Sequence, residues 1–190
     1  MKKSLLAQYF LPFLQWYAFM ILLALFIDYI LHRIGLVFVG RYLGLTGTVV
    51  ILLSFIYSLR KRKIIQSGSP KKLLELHEYL AWSGSVMLLV HAGVHFNALL
   101  PWLAIVMLLV VVASGLVGKF LLKKANDSFK SKKQELIASG LKPEEVEKLL
   151  HFDSLTVDAM KKWKSVHLPI AAILAILSLL HILTIIIFTK

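Results

Sequence analysis

Five unbroken apolar stretches, at about residues 9 to 31, 36 to 59, 76 to 96, 99 to 122 and 166 to 188, constrain this chain more than any other feature. Each is long enough to cross the hydrocarbon core of a bilayer, which takes about 20 residues as a helix. In lipid a backbone amide finds a partner only within a helix or a closed barrel, and runs of this length specify helices. The expected fold is therefore all-α, a polytopic membrane bundle of five transmembrane helices.

Composition agrees. Hydrophobic residues make up 58% of the chain and charged residues 17%, against about a quarter charged in soluble domains. The chain has no Cys. That removes disulfides, thiolate zinc sites, iron–sulfur clusters and the C-x-x-C-H attachment of c-type haem. A cofactor must be held by His, by oxygen ligands or without a covalent link.

The net charge of +12 is explained by its distribution. The N-terminus (Lys2, Lys3), the second loop and the stretch from Lys119 to Lys164 hold 19 of the 22 cations, leaving Arg33, Arg41 and Lys190. The positive-inside rule then puts the N-terminus, second loop and fourth loop in the cytoplasm and the C-terminus outside. Topology accounts for the basic balance, so no nucleic-acid partner is implied; membrane lipid is. The first span follows Lys2 and Lys3 as a signal peptide would. Its apolar run is too long for one and no small-x-small cleavage site follows, so residues 1–35 read as an anchor helix. Residues 36–190 read as the remaining membrane domain.

Residues 123–165 are the one sizeable polar segment. Ser139-Gly140 breaks it. Pro143-Glu144-Glu145 opens a short helix with Val146, Leu149 and Leu150 on one stripe. Asp153 or Ser154 can cap a second helix running towards Trp163. No phosphate-cradling glycine loop occurs, and the segment is too short for a nucleotide-binding domain.

Four of the seven His form a pattern. His77 and His91 are 14 residues apart in the third span, and His167 and His181 are 14 apart in the fifth. Fourteen residues close to within about 40° of four full turns and rise about 21 Å. Each pair thus shares a helix face, with one His towards each edge of a core about 30 Å thick. With one span between them, the third and fifth spans run parallel. His77 is then level with His167, and His91 with His181. Two parallel helices presenting level imidazoles can hold two haems, each clamped by one His from each helix, and four helices, spans two to five, form the haem-binding core. Bis-His ligation leaves no open position at iron, which favours electron transfer. A lone intramembrane His is otherwise a common helix-to-helix hydrogen-bonding residue.

Gly84 lies midway between His77 and His91 on their face, where a missing side chain lets a porphyrin approach; ordinary small-residue packing accounts for it equally well. Trp163 precedes His167 by one turn on the same face, and an interfacial belt Trp is the other reading. Arg41, and with it Arg60 and Arg62, could pair with haem propionates; for the latter two, positive-inside loading suffices. Gly44, Gly47, Gly115 and Gly118 make their helices thin on one side. Pro169 suits the first turn of the fifth span and would kink a helix continuous from Trp163, placing His167 near a helix end. His95, Asp28 and His32 cluster towards the outer end as a proton-handling or quinone site, an alternative haem ligand, or interfacial polar residues. His151 reads as solvated.

These features together resemble the di-haem b-type cytochromes, and most closely the ferric reductase-like transmembrane domain family. Three stretches carry the resemblance: Gly40 to Gly47 entering span two, His77 to His91 with Leu88-Leu89-Val90-His91-Ala92, and Trp163-Lys164-Ser165-Val166-His167 leading to Leu179-Leu180-His181. The resemblance implies a membrane electron wire with two non-covalent haem b groups, one towards each face. Ferric reductases continue into a cytoplasmic flavin and nicotinamide domain, whereas this chain has none, so a redox partner protein must exchange the electrons. The expectation is the membrane cytochrome subunit of a larger oxidoreductase in a cell membrane. Two alternatives stay open: a quinol-oxidising or quinone-reducing module, and a non-redox helical scaffold or transporter subunit whose His are structural.

Overall fold

The computed structural model describes residues 5–93 and 99–188. It is helical throughout, with no strand among the described residues. In chain order the elements are α1 (Leu5–Arg33), α2 (Val37–Ser54), α3 (Ile56–Lys61), α4 (Pro70–Gly93), α5 (Leu99–Leu116), a π-helical stretch (Val117–Leu122), α6 (Lys123–Ala138), α7 (Pro143–Leu149) and α8 (His151–Phe188).

Among the described residues, four segments are long and apolar enough to cross a membrane: Leu11–Arg33, Val37–Lys61, Leu99–Phe120 and Ser165–Phe188. Their large apolar side chains turn outward. Leu22, Leu45, Leu52, Ile186 and Phe188 are between 61% and 81% exposed, and in water each would forfeit about 1.5–3 kcal/mol of burial. Lipid removes that cost. The remaining expected span, 76 to 96, forms the helix α4. It falls short of the four in apolarity because His77, Glu78, Ser83, Gly84, Ser85 and His91 interrupt its hydrocarbon, and residues 94–96 lie outside the described residues.

Two compact units divide the chain, Met1–Tyr17 with Ala113–Ile170, and Ala18–Val112 with Ala171–Lys190. In the second, α2 and α4 pack antiparallel. The buried residues of α2 are Gly40, Gly47 and Ser54, which recur every seven positions. A seven-residue repeat keeps one seam of a helix against its neighbour over several turns. Helix α1 ends at Gly35, whose φ of 73° is the left-handed conformation that glycine adopts without penalty. The Leu36 amide then reaches back to the Leu31 carbonyl at 2.9 Å.

In the first unit, Val146, Leu150 and Val157 are buried at 2–5% exposure, and Lys132 Nζ pairs with Asp153 Oδ2 at 2.8 Å. Three expectations are corrected here. Leu149 is 63% exposed, since the seven-residue α7 buries one narrow stripe, the i, i+4 pair Val146 and Leu150. Neither Asp153 nor Ser154 caps a helix: Asp153 takes the Lys132 ammonium, and Ser154 Oγ donates to the His151 carbonyl at 2.8 Å. The largest correction concerns Pro169. Helix α8 runs unbroken through it, from His151 to Phe188, so His167 stands in mid-helix. Proline removes one ladder hydrogen bond, and neighbours in a membrane bundle tolerate that loss.

Candidate functional site

The site is built on the antiparallel seam of α2 and α4. His77 Nδ1 donates to the backbone carbonyl of Ser54 at 2.9 Å, and His91 Nδ1 donates to that of Gly40 at 3.0 Å. A carbonyl oxygen can only accept, so both rings carry their proton on Nδ1 when neutral, which leaves the lone pair on Nε2. Metal-ligating His side chains characteristically donate their other ring N–H to such an acceptor, which fixes tautomer and orientation.

Midway along the seam the two helices touch through glycine. A β-carbon on Gly47 would meet the Gly84 carbonyl oxygen, and one on Gly84 would meet Ile51 and the Gly47 carbonyl. The three contacts, Gly40 with His91, Gly47 with Gly84 and Ser54 with His77, step by seven on both helices. In each, the two residue numbers add to the same total, as a fixed antiparallel register requires. Gly84 therefore faces α2 rather than an open space for a macrocycle, and the small-residue packing alternative is the one observed.

Local backbone chemistry explains why these carbonyls are the acceptors. Ser54 is the last residue of α2, where carbonyls lack ladder partners. At the break at Phe55, the Ser54 hydroxyl donates to the Ile51 carbonyl at 2.6 Å and the Phe55 amide to that of Leu52 at 3.0 Å. His77 satisfies the Ser54 carbonyl. Gly40 and Gly44, one turn apart, open a groove for His91: a β-carbon on Gly44 would stand 2.7 Å from each of three ring atoms, Cε1, Nδ1 and Nε2. Equal distances to three atoms of one ring put that β-carbon over its face, so the imidazole lies flat on Gly44.

His181 of α8 approaches the same ring, with imidazole centroids 6.4 Å apart and planes inclined at 57°. Two imidazoles on opposite sides of one metal ion, with metal–nitrogen bonds of about 2.0–2.1 Å and ring centres about 1 Å beyond the nitrogen, have centroids about 6 Å apart. The separation of the pair is close to that value. Helix-to-helix hydrogen bonding alone would account for His91 on Gly40, but it does not require a second imidazole at this separation. Among the described residues no group of three or more His, Asp and Glu side chains converges as a metal site. A macrocycle needs two axial ligands from the protein and brings the remaining nitrogens itself.

In the first unit, His167 Nδ1 is hydrogen-bonded to the hydroxyl of Ser114, a buried residue of α5, and its Cε1 lies 3.5 Å from where a β-carbon on Gly115 would stand. All four of the patterned His are half-buried.

The other expected residues are placed as follows. Arg41 is exposed, next to Gly40. Arg60 Nε donates to the Gly68 carbonyl at 3.2 Å and so ties down the loop after α3. The backbone of Trp163 lies in α8, and its side chain is outside the described set, as is all of His95. His32 Nδ1 donates to the Asp28 carbonyl at 2.9 Å and stands 3.4 Å from its carboxylate, which packs against Gly93. An apolar cavity of about 270 Å³ lies between α1, α2 and α4, lined by Ile27, Leu43, Trp82, Val86 and Val90.

Sequence reasoning missed Gly40, Ser54 and Ser114 as partners of the His rings. The signal was present for the first two: Gly40, Gly47 and Ser54 repeat the spacing of His77, Gly84 and His91. Comparison with protein-family models, curated proteins and solved structures finds no match to this chain.

Proposed function

We propose that this chain is a di-haem b-type membrane cytochrome resembling the ferric reductase-like transmembrane domain, with α4 as a fifth span. It would carry electrons across a cell membrane as a subunit of a larger oxidoreductase, its N-terminus cytoplasmic. The observation that carries the reading is the approach of His91 and His181, with the proton of His91 held on Nδ1 by the Gly40 carbonyl. These two residues would hold one haem. The second is assigned to His77 and His167 on the shared fourteen-residue spacing of the sequence alone. When bound, haem iron supplies reversible one-electron exchange.

The chain's own part is physical. Backbone carbonyls orient the rings. Glycines at 44, 47 and 84 let helices and rings come close. The apolar spans keep water away from the ligands. Electrons would enter and leave through a partner protein.

The test is a reduced-minus-oxidised spectrum of the purified protein with a haem-to-protein ratio. Two low-spin bis-His haems per chain are expected. A colourless protein with all four His present would sink the reading and leave a helical scaffold with structural His.

A further inference from the structure

The cations of the chain fall in two large groups that differ in what surrounds them. Residues 123–165 interleave seven Asp and Glu with ten Lys, and there Lys132 pairs with Asp153 at 2.8 Å and Lys161 with Asp158 at 3.0 Å. The second loop holds Arg60, Lys61, Arg62, Lys63, Lys71 and Lys72, and the chain has no Asp or Glu from Tyr29 to Leu74. Among the described residues none of these six cations forms an ion pair. Like charges gathered without a counter-charge repel one another, which an anion from outside the chain would relieve.

The loop is also built, not loose. Arg60 Nε donates to the Gly68 carbonyl at 3.2 Å, which ties the end of α3 to the residues just before α4 and gathers the six cations at one end of that helix pair. The guanidinium keeps its two Nη groups for another acceptor. After α3 the Lys63 amide bonds to the Arg60 carbonyl and the Ile64 amide to that of Leu59. This turn leaves Ile64 66% exposed, beside exposed Lys61, Arg62 and Lys63. The span Val37–Lys61 ends here, so cations and isoleucine stand at the level where hydrocarbon gives way to headgroups. Orienting the chain by charge would need only a basic loop; it accounts neither for the tie to Gly68 nor for an apolar side chain among the cations.

We propose that this turn is a binding site for the headgroup of an anionic phospholipid. The arginine forks and the ammonium groups take the phosphate, and Ile64 enters the acyl region beside it, so that charge and apolar burial act together at the bilayer surface. The isoleucine separates this ligand from a free phosphate, which has no apolar part. The level of the turn separates it from an acidic protein, since headgroups already lie there. The inference stands on the membrane spans and is independent of haem.

The test titrates the intact chain in neutral detergent with phosphatidylglycerol or phosphatidylcholine and counts bound lipid by native mass spectrometry. Phosphatidylglycerol should bind more tightly. Replacing Lys61, Arg62 and Lys63 together by Gln should weaken it about fivefold per cation, about 100-fold in all. Lys71→Gln with Lys72→Gln, which leaves the turn after α3 as it is, should weaken it about 25-fold. Ile64→Ser keeps every charge and should still weaken it. Replacing three exposed lysines elsewhere, Lys130, Lys133 and Lys148, by Gln should leave it near the parent value. Equal binding of the two lipids, an unchanged titration in both charge variants of the loop, or the same loss from the distant lysines overturns the proposal. Inorganic phosphate that displaces the lipid at equal concentration overturns it in favour of a free anion. A chain that binds polyglutamate and not phosphatidylglycerol overturns it in favour of an acidic protein.

Discussion

Gly47 of α2 and Gly84 of α4 meet backbone to backbone: a β-carbon on either would stand 3.2 Å from the carbonyl oxygen of the other. This contact is the centre of a seam whose two ends are the His77 and His91 hydrogen bonds, so it holds both rings at once.

Substituting valine for either glycine should therefore perturb both histidine sites together. Overpacking of this kind costs about 1–3 kcal/mol, and here the strain separates α2 from α4. Gly84→Val should lose both haem components and lower the melting temperature. Gly118→Ala, where a β-carbon meets nothing within 4 Å, should change neither. Loss of one component alone in Gly84→Val would show that the two ends of the seam are independent.

Gly44→Ala should act on one site. Its β-carbon would occupy the space of the His91 ring, 2.7 Å from three of its atoms, while the His77 end of the seam stays in register. Spectra of this variant should lack the component that His91→Ala and His181→Ala also remove, and keep the other. An unchanged spectrum would mean that His91 is not a ligand in the observed rotamer.

Lys63 adopts φ of 62° just beyond α3, with its own amide bonded to the Arg60 carbonyl and that of Ile64 to the Leu59 carbonyl. This is a helix C-terminal turn that glycine serves best. A side chain in the left-handed region costs about 1–2 kcal/mol, offset in part by the greater unfolded freedom of glycine. Lys63→Gly should raise the melting temperature in detergent slightly, and Gly35→Ala, at φ of 73°, should lower it. A drop for Lys63→Gly would mean that the ammonium makes a contact worth more than the strain.

The division of the cations predicts orientation. A reporter inserted at Gly140 should behave as cytoplasmic, and one at Gly35, between α1 and α2, as external. The opposite activities would invert the chain in the membrane but leave the pairing of ligands intact.

Much of this architecture was legible because hydropathy and the fourteen-residue spacing report on long helices directly. The helix carrying His77 and His91 was read as an apolar span, and it does form, but His77, Glu78, Ser83, Gly84, Ser85 and His91 dilute its hydrocarbon below that of the other four. The α8 reading erred at Pro169, because the loss of one ladder hydrogen bond there does not end the helix. The partners of the rings were the least legible part. Gly40 and Ser54 act through main-chain carbonyls, which every residue has, so nothing in their side-chain identity announces the role. Ser114 is one buried serine on an apolar helix, with no second feature to set it apart.

Because the seam between α2 and α4 is read by backbone position, its vulnerability is to length more than to residue type. Removing a single residue between Gly40 and Gly47 would turn everything before it by about 100° and shift it by about 1.5 Å. Gly40 would leave the His91 ring while Ser54 remained beneath His77. The lipid-facing positions of α2 are thus free to change among apolar residues, whereas the count of residues from Gly40 to Ser54 is not, and any chain with the same two-ended device must keep that interval even where little else in the helix is alike.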